Sequence, residues 1–294
     1  MNSTALLVVN TKSRSGERLC ASLSDLLAER GIQPLHAGCE DRDALPQAIL
    51  DNKDKIDCVV IAGGDGTLNA AAPGLLNSAL PLGIVPAGTA NDLARTLGIP
   101  DDPLEALDII ARGEERRVDI GRVNDHLFFN VASIGLSVAL ARAMSRETKR
   151  RLGRLSYALA ALRVMARARP FSALIVSEGD VARVKTFQIA VGNGRYYGGG
   201  NAVEKSAEID DGRLDLYSLE MDSLWKLAWM APSFRSGEHG AFEEVRAVRG
   251  RNFEIHTRRP RRVNADGEIL TTTPARFSII PGAIRVFAPP LGGA

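Results

Sequence analysis

The sequence predicts an α/β domain followed by a β-rich, sandwich-like domain, and three observations carry that expectation. Apolar strand-like runs alternate with helical patterns up to about Val118, and a glycine turn, Gly63-Gly64-Asp65-Gly66-Thr67, directly follows one of those strands. Beyond Val118 the strand-like runs are short and separated mainly by turns. A chain of 294 residues has room for two domains of about 100 to 200 residues each. The expected division is 1–120 and 121–294, with a helical insertion near 137–168 and the last residues returning to the first domain.

The elements follow in order. Ala5 to Val9 is an apolar run that ends in a turn-rich segment, and Leu23, Leu26 and Leu27 continue it as a helix up to Gly31, which together make a βα unit. A second strand is expected near Pro34 to His36, and a third from Asp57 to Ala62, leading into the glycine turn and a helix from about Leu68. Leu82 to Val85 repeats the scheme. Strand-like runs then fall at Leu127–Val131, Ala173–Val176, Lys185–Val191, Leu214–Leu219 and Phe253–His256, as expected of an antiparallel domain.

Composition narrows the function classes. Hydrophobic residues make up 45% of the chain and charged residues 24%, which are globular proportions and argue against disorder, a collagen-like repeat or a membrane-embedded protein. The aromatic share of 5% is low for stacking on single-stranded nucleic acid. A net charge of +2 is too small for a general polyanion binder, so no nucleic-acid partner is expected. Cys20, Cys39 and Cys58 lack the spacing of a zinc site and are odd in number, which fits a reducing cytoplasm. The opening MNSTALLVVN reads as a first strand rather than a signal peptide, and no apolar run is long enough to span a bilayer.

The motifs carry the chemistry. In the 63–67 turn, glycines let backbone N–H groups approach phosphate oxygens, while the start of the following helix favours their negative charge. Asp65 makes sense beside phosphate only with a divalent cation or water between them; the bland alternative is a tight turn with Asp65 as a helix N-cap. Thr67 offers a hydroxyl to phosphate. A second turn, Pro86-Ala87-Gly88-Thr89-Ala90-Asn91-Asp92, also joins a strand to a helix, so the two would face one crevice at neighbouring strand ends. Asn10 to Gly16 is a third polar loop after a strand. Asp266-Gly267-Glu268 reads locally as a hairpin turn, because Asp-Gly suits two-residue loops.

GGDGTLN, LGIVPAGTANDLAR, VGNGRYYGGG, IDDGRLDL and ADGE stand in this order along the chain. Together they resemble the diacylglycerol kinase catalytic family, in its soluble bacterial lipid kinase branch. The resemblance implies an N-terminal α/β domain similar to those of NAD kinases and phosphofructokinases, a C-terminal β-rich domain, and an active site in the cleft between them. It implies ATP and Mg2+ as cofactors and transfer of the γ-phosphoryl group to a lipid hydroxyl. Position by position, it assigns Asn10, Gly63, Gly64, Asp65, Gly66, Thr67, Asn69, Gly88, Thr89, Asn91 and Asp92 to nucleotide binding. Asp266 and Glu268 would activate the acceptor hydroxyl and organise magnesium. A structural magnesium site would use the Asp211 carboxylate and main-chain oxygens of Glu208 and Arg213; an Asp-Asp-Gly turn is also stable without metal. Two stretches depart from the family pattern. His36-Ala37-Gly38-Cys39-Glu40 lacks the family's nucleotide-contacting threonine, and Val203-Glu204-Lys205-Ser206-Ala207 replaces a proline-containing segment.

Residues 142–169 hold nine Lys or Arg and one acidic residue, with Leu152, Leu155, Leu159 and Leu162 at helical spacing. Such a helix docks on an anionic bilayer, or packs its leucines on the β domain and leaves its charges in water. Trp225 and Trp229 are placed in core rather than at a lipid contact. The expected partners are a lipid substrate at the membrane surface, peripheral anionic membrane and a second copy in a homodimer, with the chain in the cytoplasm or on the inner face of the membrane. A NAD kinase-like enzyme and a non-catalytic nucleotide-binding regulator of the same fold are the alternatives.

Overall fold

A computed structural model describes residues 3–9, 14–36, 41–143, 163–194, 196–197, 201–202, 208–221 and 245–290. The first third alternates as the sequence predicts: β1 (Ser3–Val9), α1 (Arg14–Glu29), β2 (Ile32–His36), α2 (Leu45–Asn52), β3 (Cys58–Gly63), α3 (Asp65–Ser78), β4 (Leu82–Pro86), α4 (Asp92–Leu97) and α5 (Pro103–Arg112). The strands pair in parallel in the order β2-β1-β3-β4. Every residue of β3 and β4 is buried, as continuous apolar runs in a sheet covered on both faces should be. Leu6, Val59, Ile61 and Ile84 pack with Leu68 and Leu93 on one face. Leu7, Val60 and Val85 pack with Leu23, Leu27, Leu107 and Ile110 on the other.

Local signals set the helix ends. The Asp102 carboxylate accepts from the N–H groups of Leu104 at 2.8 Å and Glu105 at 3.2 Å, Pro103 opens α5, and Gly113 closes it at φ 71°. The helix expected from Leu68 instead begins at Asp65, with Gly64 as its N-cap. Asp65, Gly66 and Thr67 are therefore the first turn of α3 rather than a loop before it.

The remaining strands are β5 (Glu115–Val123), β6 (His126–Phe128), β7 (Val131–Gly135), β8 (Phe171–Ser177), β9 (Asp180–Thr186), β10 (Gln188–Gly192), β11 (Tyr196–Tyr197), β12 (Asn201–Ala202), β13 (Leu214–Leu219), β14 (Val245–Gly250), β15 (Asn252–Thr257), β16 (Arg262–Ala265), β17 (Glu268–Thr272) and β18 (Ala275–Phe287). A separate antiparallel sheet runs β14-β13-β10-β7-β16-β17. Its inner face packs on β8, β15 and β18 through Ile134, Ile189, Phe253, Val263 and Phe277. Two expected strands are each divided. Leu127–Val131 breaks at Phe129-Asn130, and Lys185–Val191 breaks at Phe187, whose N–H and C=O bond Leu219 and Leu136. Helix α6 (Leu136–Ala143) and helical residues 163–167 belong to the predicted insertion. The stretch between them, with Arg150, Arg151 and Arg154, lies outside the described residues, as do Trp225 and Trp229.

Strand β18 joins the two halves. It pairs antiparallel with β15 and β5 and meets β4 in parallel at Val286 and Leu82. Its register with β5 shifts between Ile280 and Ile284, where Pro281 has no N–H to give to the ladder. Asp119 of β5, 2% exposed, takes up the backbone that the bulge leaves over: its carboxylate accepts from Gly282 N–H at 2.7 Å and from Gly212 N–H at 2.6 Å. One side chain thus fastens β5, β18 and the 209–213 loop. Asp119→Ala orphans both N–H groups and is expected to lower stability by roughly 2–4 kcal/mol, read as a lower midpoint in urea unfolding.

Candidate functional site

The C-terminal ends of β3 and β4 lie side by side, with Gly63 opposite Pro86 and Ala87 N–H donating to Gly63 C=O at 3.0 Å. The two predicted turns therefore meet, and they meet backbone to backbone. A Cβ on Gly88 would sit 2.5 Å from Gly64 Cα, and one on Gly64 would sit 2.9 Å from Gly88 Cα. Asp65 does not cap its own helix. Its carboxylate accepts from Asp92 N–H at 3.2 Å and Leu93 N–H at 3.0 Å, capping α4 across the crevice. Asn91, at φ 52°, accepts from Gly88 N–H at 2.9 Å and so fixes the shape of the second turn.

The other expected nucleotide residues divide by exposure. Gly88 and Thr89 are exposed at the rim, whereas Thr67 is 4% exposed and lies against Gly63 in the first turn of α3. Asp92 is also buried. Asn69 lies one turn along α3 from Asp65, and its Oδ1 is buried with no hydrogen-bond partner among the described residues. Asn10 lies outside the described residues. Gly64 supplies no side-chain cap to α3, so the first-turn N–H groups remain free of a capping side chain and suit an anion.

Across from this floor stands the β16–β17 hairpin. Its turn is the Asp-Gly type that the sequence indicates, with Asp266 at φ 45° and Gly267 at φ 92°. The two acids beside Gly267 face different surroundings. The Asp266 carboxylate is held by three backbone N–H groups, from Phe129 at 2.6 Å and from Asn130 and Val131 at 3.0 Å each. This contact is what interrupts the strand between β6 and β7. Burial pushes the Asp266 carboxyl up to about 7 and the Asp65 charge adds to the rise, while the three N–H groups oppose it. Glu268 is open, with its side chain 51% exposed, and its Oε1 accepts from Arg42 Nη1 at 3.4 Å.

Arg42, in a 3-10 turn at Arg42–Ala44, has no motif around it and was not singled out from the sequence. The pair lies over the start of α3: a Cβ on Gly66 would be 3.0 Å from Arg42 Nη1 and 3.6 Å from Glu268 Oε1. The phosphate-type turn and the hairpin acid Glu268 are thus within side-chain contact.

The 208–213 loop is a separate place. Asp211 Oδ1 accepts from Arg213 N–H at 2.9 Å, and Arg249 lies 3.6 Å from Asp211 and 2.9 Å from Asp215. Burial raises the Asp211 pKa and Arg249 opposes the rise, while Asp215 and Asp119 add to it. Glu208 and Arg213 are exposed. A cavity of about 290 Å³ lies at the far end of β7, lined by Leu136, Phe171, Phe187, Arg163, Arg167 and Arg261 among others. Arg261 stacks over the Phe171 ring, 4.0 Å from its centroid. Among the described residues no helix is long and apolar enough to cross a membrane.

Comparison with known proteins agrees with this architecture. Residues 4–123 match the family model described as the diacylglycerol kinase catalytic domain, and residues 130–288 match the YegS C-terminal NAD kinase beta sandwich-like domain. The chain belongs to the diacylglycerol kinase family. A protein of Mycobacterium tuberculosis (strain CDC 1551 / Oshkosh) named "Diacylglycerol kinase" is 34% identical over 241 residues, covering 79% of this chain and 77% of that one. A "Probable lipid kinase YegS-like" protein of Stenotrophomonas maltophilia is 31% identical over 96% of this chain and 95% of its own. A crystal structure of a candidate diacylglycerol kinase from Bacillus anthracis str. Sterne superposes with a TM-score of 0.83 at 26% identity, covering 98% of this chain and 96% of that chain.

Diacylglycerol kinase family membership implies ATP and a divalent metal, and the residues present fit both. The uncapped first turn of α3 and the exposed Gly88-Thr89 rim fit a phosphate chain. Among the described residues no three His, Cys, Asp or Glu side chains converge on one metal position. Magnesium carried by substrate phosphates needs only one or two carboxylates, and Asp65 and Glu268 together exceed the charge of Arg42.

Two measurements test this geometry. Gly88→Ala is expected to destabilise by about 1–3 kcal/mol, because its Cβ meets backbone; Gly66→Ala, whose Cβ meets only the flexible ends of Arg42 and Glu268, should stay within about 1 kcal/mol of wild type in the same unfolding series. For Asp266, the folded state holds a proton up to about pH 7 while the ordinary aspartate value is 3.8, so the folded state binds more protons across that window. Its contribution to stability therefore declines as pH rises from about 4 to about 7. Between pH 5 and 7 the decline should be on the order of 2 kcal/mol, and Asp266→Asn should flatten it, whatever that variant's absolute stability.

Proposed function

We propose that the chain is an ATP- and magnesium-dependent lipid kinase that transfers the γ-phosphoryl group to a lipid hydroxyl, that of diacylglycerol or a related lipid. The observation that carries the reading is the approach of Glu268 to the first turn of α3, where Glu268 Oε1 is 3.6 Å from a Cβ placed on Gly66. An open carboxylate beside an anion-binding helix start is the pairing that phosphoryl transfer to an alcohol requires. The naming of the mycobacterial relative as a diacylglycerol kinase supports the same substrate class.

In this reading the first-turn N–H groups of α3, with Gly64, Gly66 and Gly88 admitting them closely, hold the nucleotide phosphates. Thr89 borders the opening, and Asn91 and Asp65 keep the two turns in register. Glu268 takes the proton of the acceptor hydroxyl as its oxygen bonds to the γ-phosphorus. The bond from that phosphorus to the β-phosphate oxygen breaks, and its electron pair leaves with ADP. Asp266 holds the hairpin that presents Glu268. When bound, magnesium would neutralise charge on the transferring phosphoryl group, with Glu268 the open carboxylate at hand and Asp65 a fixed negative charge beside it. A second magnesium ion is proposed at the 208–213 loop, on Asp211 and the main-chain oxygens of Glu208 and Arg213. It would compete there with Arg249.

The lipid is reached at a membrane surface. Arg163, Arg167, Arg169, Arg259, Arg261 and Arg262 surround the apolar cavity beyond β7 and its neighbouring recess, and they suit an anionic bilayer. The test is incubation of labelled ATP and magnesium with diacylglycerol in anionic vesicles, with NAD as the competing acceptor. Label is expected in a lipid product, and Glu268→Gln should lower kcat by about 10²- to 10⁴-fold with an unchanged melting temperature. Label in NAD, or Glu268→Gln turning over as wild type, would overturn the assignment.

A further inference from the structure

We infer that Arg42 is the residue that senses the terminal phosphoryl group, leaving Glu268 for that group when the nucleotide binds and thereby releasing the base. The inference rests on the lipid kinase reading above, and it adds a residue that the family resemblance does not assign. Its basis is a placement. Arg42 and Glu268 are 226 positions apart, yet their side chains meet at 3.4 Å directly over Gly66 in the first turn of α3.

The pair does little for stability. Its two side chains are 39% and 51% exposed, and ion pairs this open to solvent contribute little to stability. At 3.4 Å the contact is also longer than the roughly 2.7–2.9 Å of a strong charge-assisted bond. It is therefore a loose contact, easily exchanged for a better acceptor. A terminal phosphoryl group offers several oxygens to the guanidinium fork, whereas here Glu268 engages it through Oε1 alone.

The surroundings let the side chain move while its backbone stays. The Asp41 carboxylate accepts from Asp43 N–H at 3.2 Å, and the 3-10 turn packs on α2 and α3. Gly66 presents no side chain to obstruct the guanidinium. In the free protein Arg42 therefore occupies the carboxylate that must accept the substrate proton. With ATP in place the guanidinium turns to the γ-phosphoryl oxygens, where it offsets the charge of the transferring group, and Glu268 is left to the lipid hydroxyl. ADP, which lacks that group, leaves the Arg42–Glu268 pair closed.

The test compares magnesium-ATP with magnesium-ADP by titration calorimetry on wild type, Arg42→Ala and Arg42→Lys, with no lipid present. Arg42→Ala should weaken ATP binding about tenfold or more while leaving ADP within about twofold. Arg42→Lys should fall between, because an ammonium keeps the charge and loses the fork. Equal losses for ATP and ADP, no loss for either, or a wild type that binds no ATP would each overturn the inference. Lipid turnover by the wild type is measured separately. A wild type that binds ATP with the predicted preference and phosphorylates no lipid sinks the lipid kinase reading and leaves the Arg42 contact standing. Arg42→Ala with wild-type ATP affinity and wild-type kcat does the reverse.

Discussion

The site depends on one carboxylate reaching the wrong helix. Asp65 opens α3 but caps α4, through Asp92 and Leu93 N–H, and this bond is possible only because Gly64 and Gly88 let their backbones touch. Two βα turns that each read as an independent phosphate loop are therefore one unit. A side chain at either glycine would separate them, and the loss of the Asp65 carboxylate would leave two buried-end N–H groups of α4 without a partner. The same geometry limits what Asp65 does. With its oxygens occupied by α4, it acts on nucleotide or metal as a fixed negative charge at short range rather than as a free ligand, and Asp266 already registers that charge.

Much of this was legible in the sequence because the governing forces are local. A continuous apolar run from Cys58 to Ala62 reads as a buried strand, glycines mark the turns, and Asp266-Gly267 marks a hairpin. What escaped is non-local. The start of α3 was placed three residues late, because Asp-Gly-Thr has poor helix propensity and is held helical by the tertiary contact with the second turn. The strand expected through Leu127–Val131 is broken because Phe129, Asn130 and Val131 give their N–H groups to Asp266, more than a hundred residues later in the chain. Arg42 sits in a polar stretch with no pattern around it, and only its meeting with Glu268 gives it meaning. Asp119 carries no motif around it; its value lies in Gly212 and Gly282, which it bonds at once.

The sites proposed for magnesium differ in kind, and the difference bears on which the protein needs for folding. At the 208–213 loop Arg249 already supplies a positive charge between Asp211 and Asp215, and Asp119 holds the loop from below, so the turn is closed by protein contacts alone. At the cleft, by contrast, the Asp65 and Glu268 carboxylates face one loosely held arginine, Arg42, and leave negative charge uncompensated. A cation arriving with nucleotide phosphates has more to offset there, which links metal occupancy at the cleft to substrate rather than to the fold.

The two acids flanking Gly267 show how one short turn separates structure from chemistry. Asp266, in the left-handed region at φ 45°, turns its carboxylate inward to three N–H donors. An amide in its place would set its own N–H2 against one of those donors, so Asp266→Asn perturbs the turn as well as any charge. Loss of activity in that variant would therefore not identify Asp266 as the base. Glu268 begins β17 on the other side of the turn, has no backbone donor on its carboxylate, and bonds Arg42 alone among the contacts described. An isosteric change there removes a proton acceptor without removing a support. For that reason the burden of identifying the base falls on Glu268. The raised pKa of Asp266, which by itself resembles that of a catalytic base, is read instead as the cost of enclosing a carboxyl near Asp65 to hold the hairpin in place.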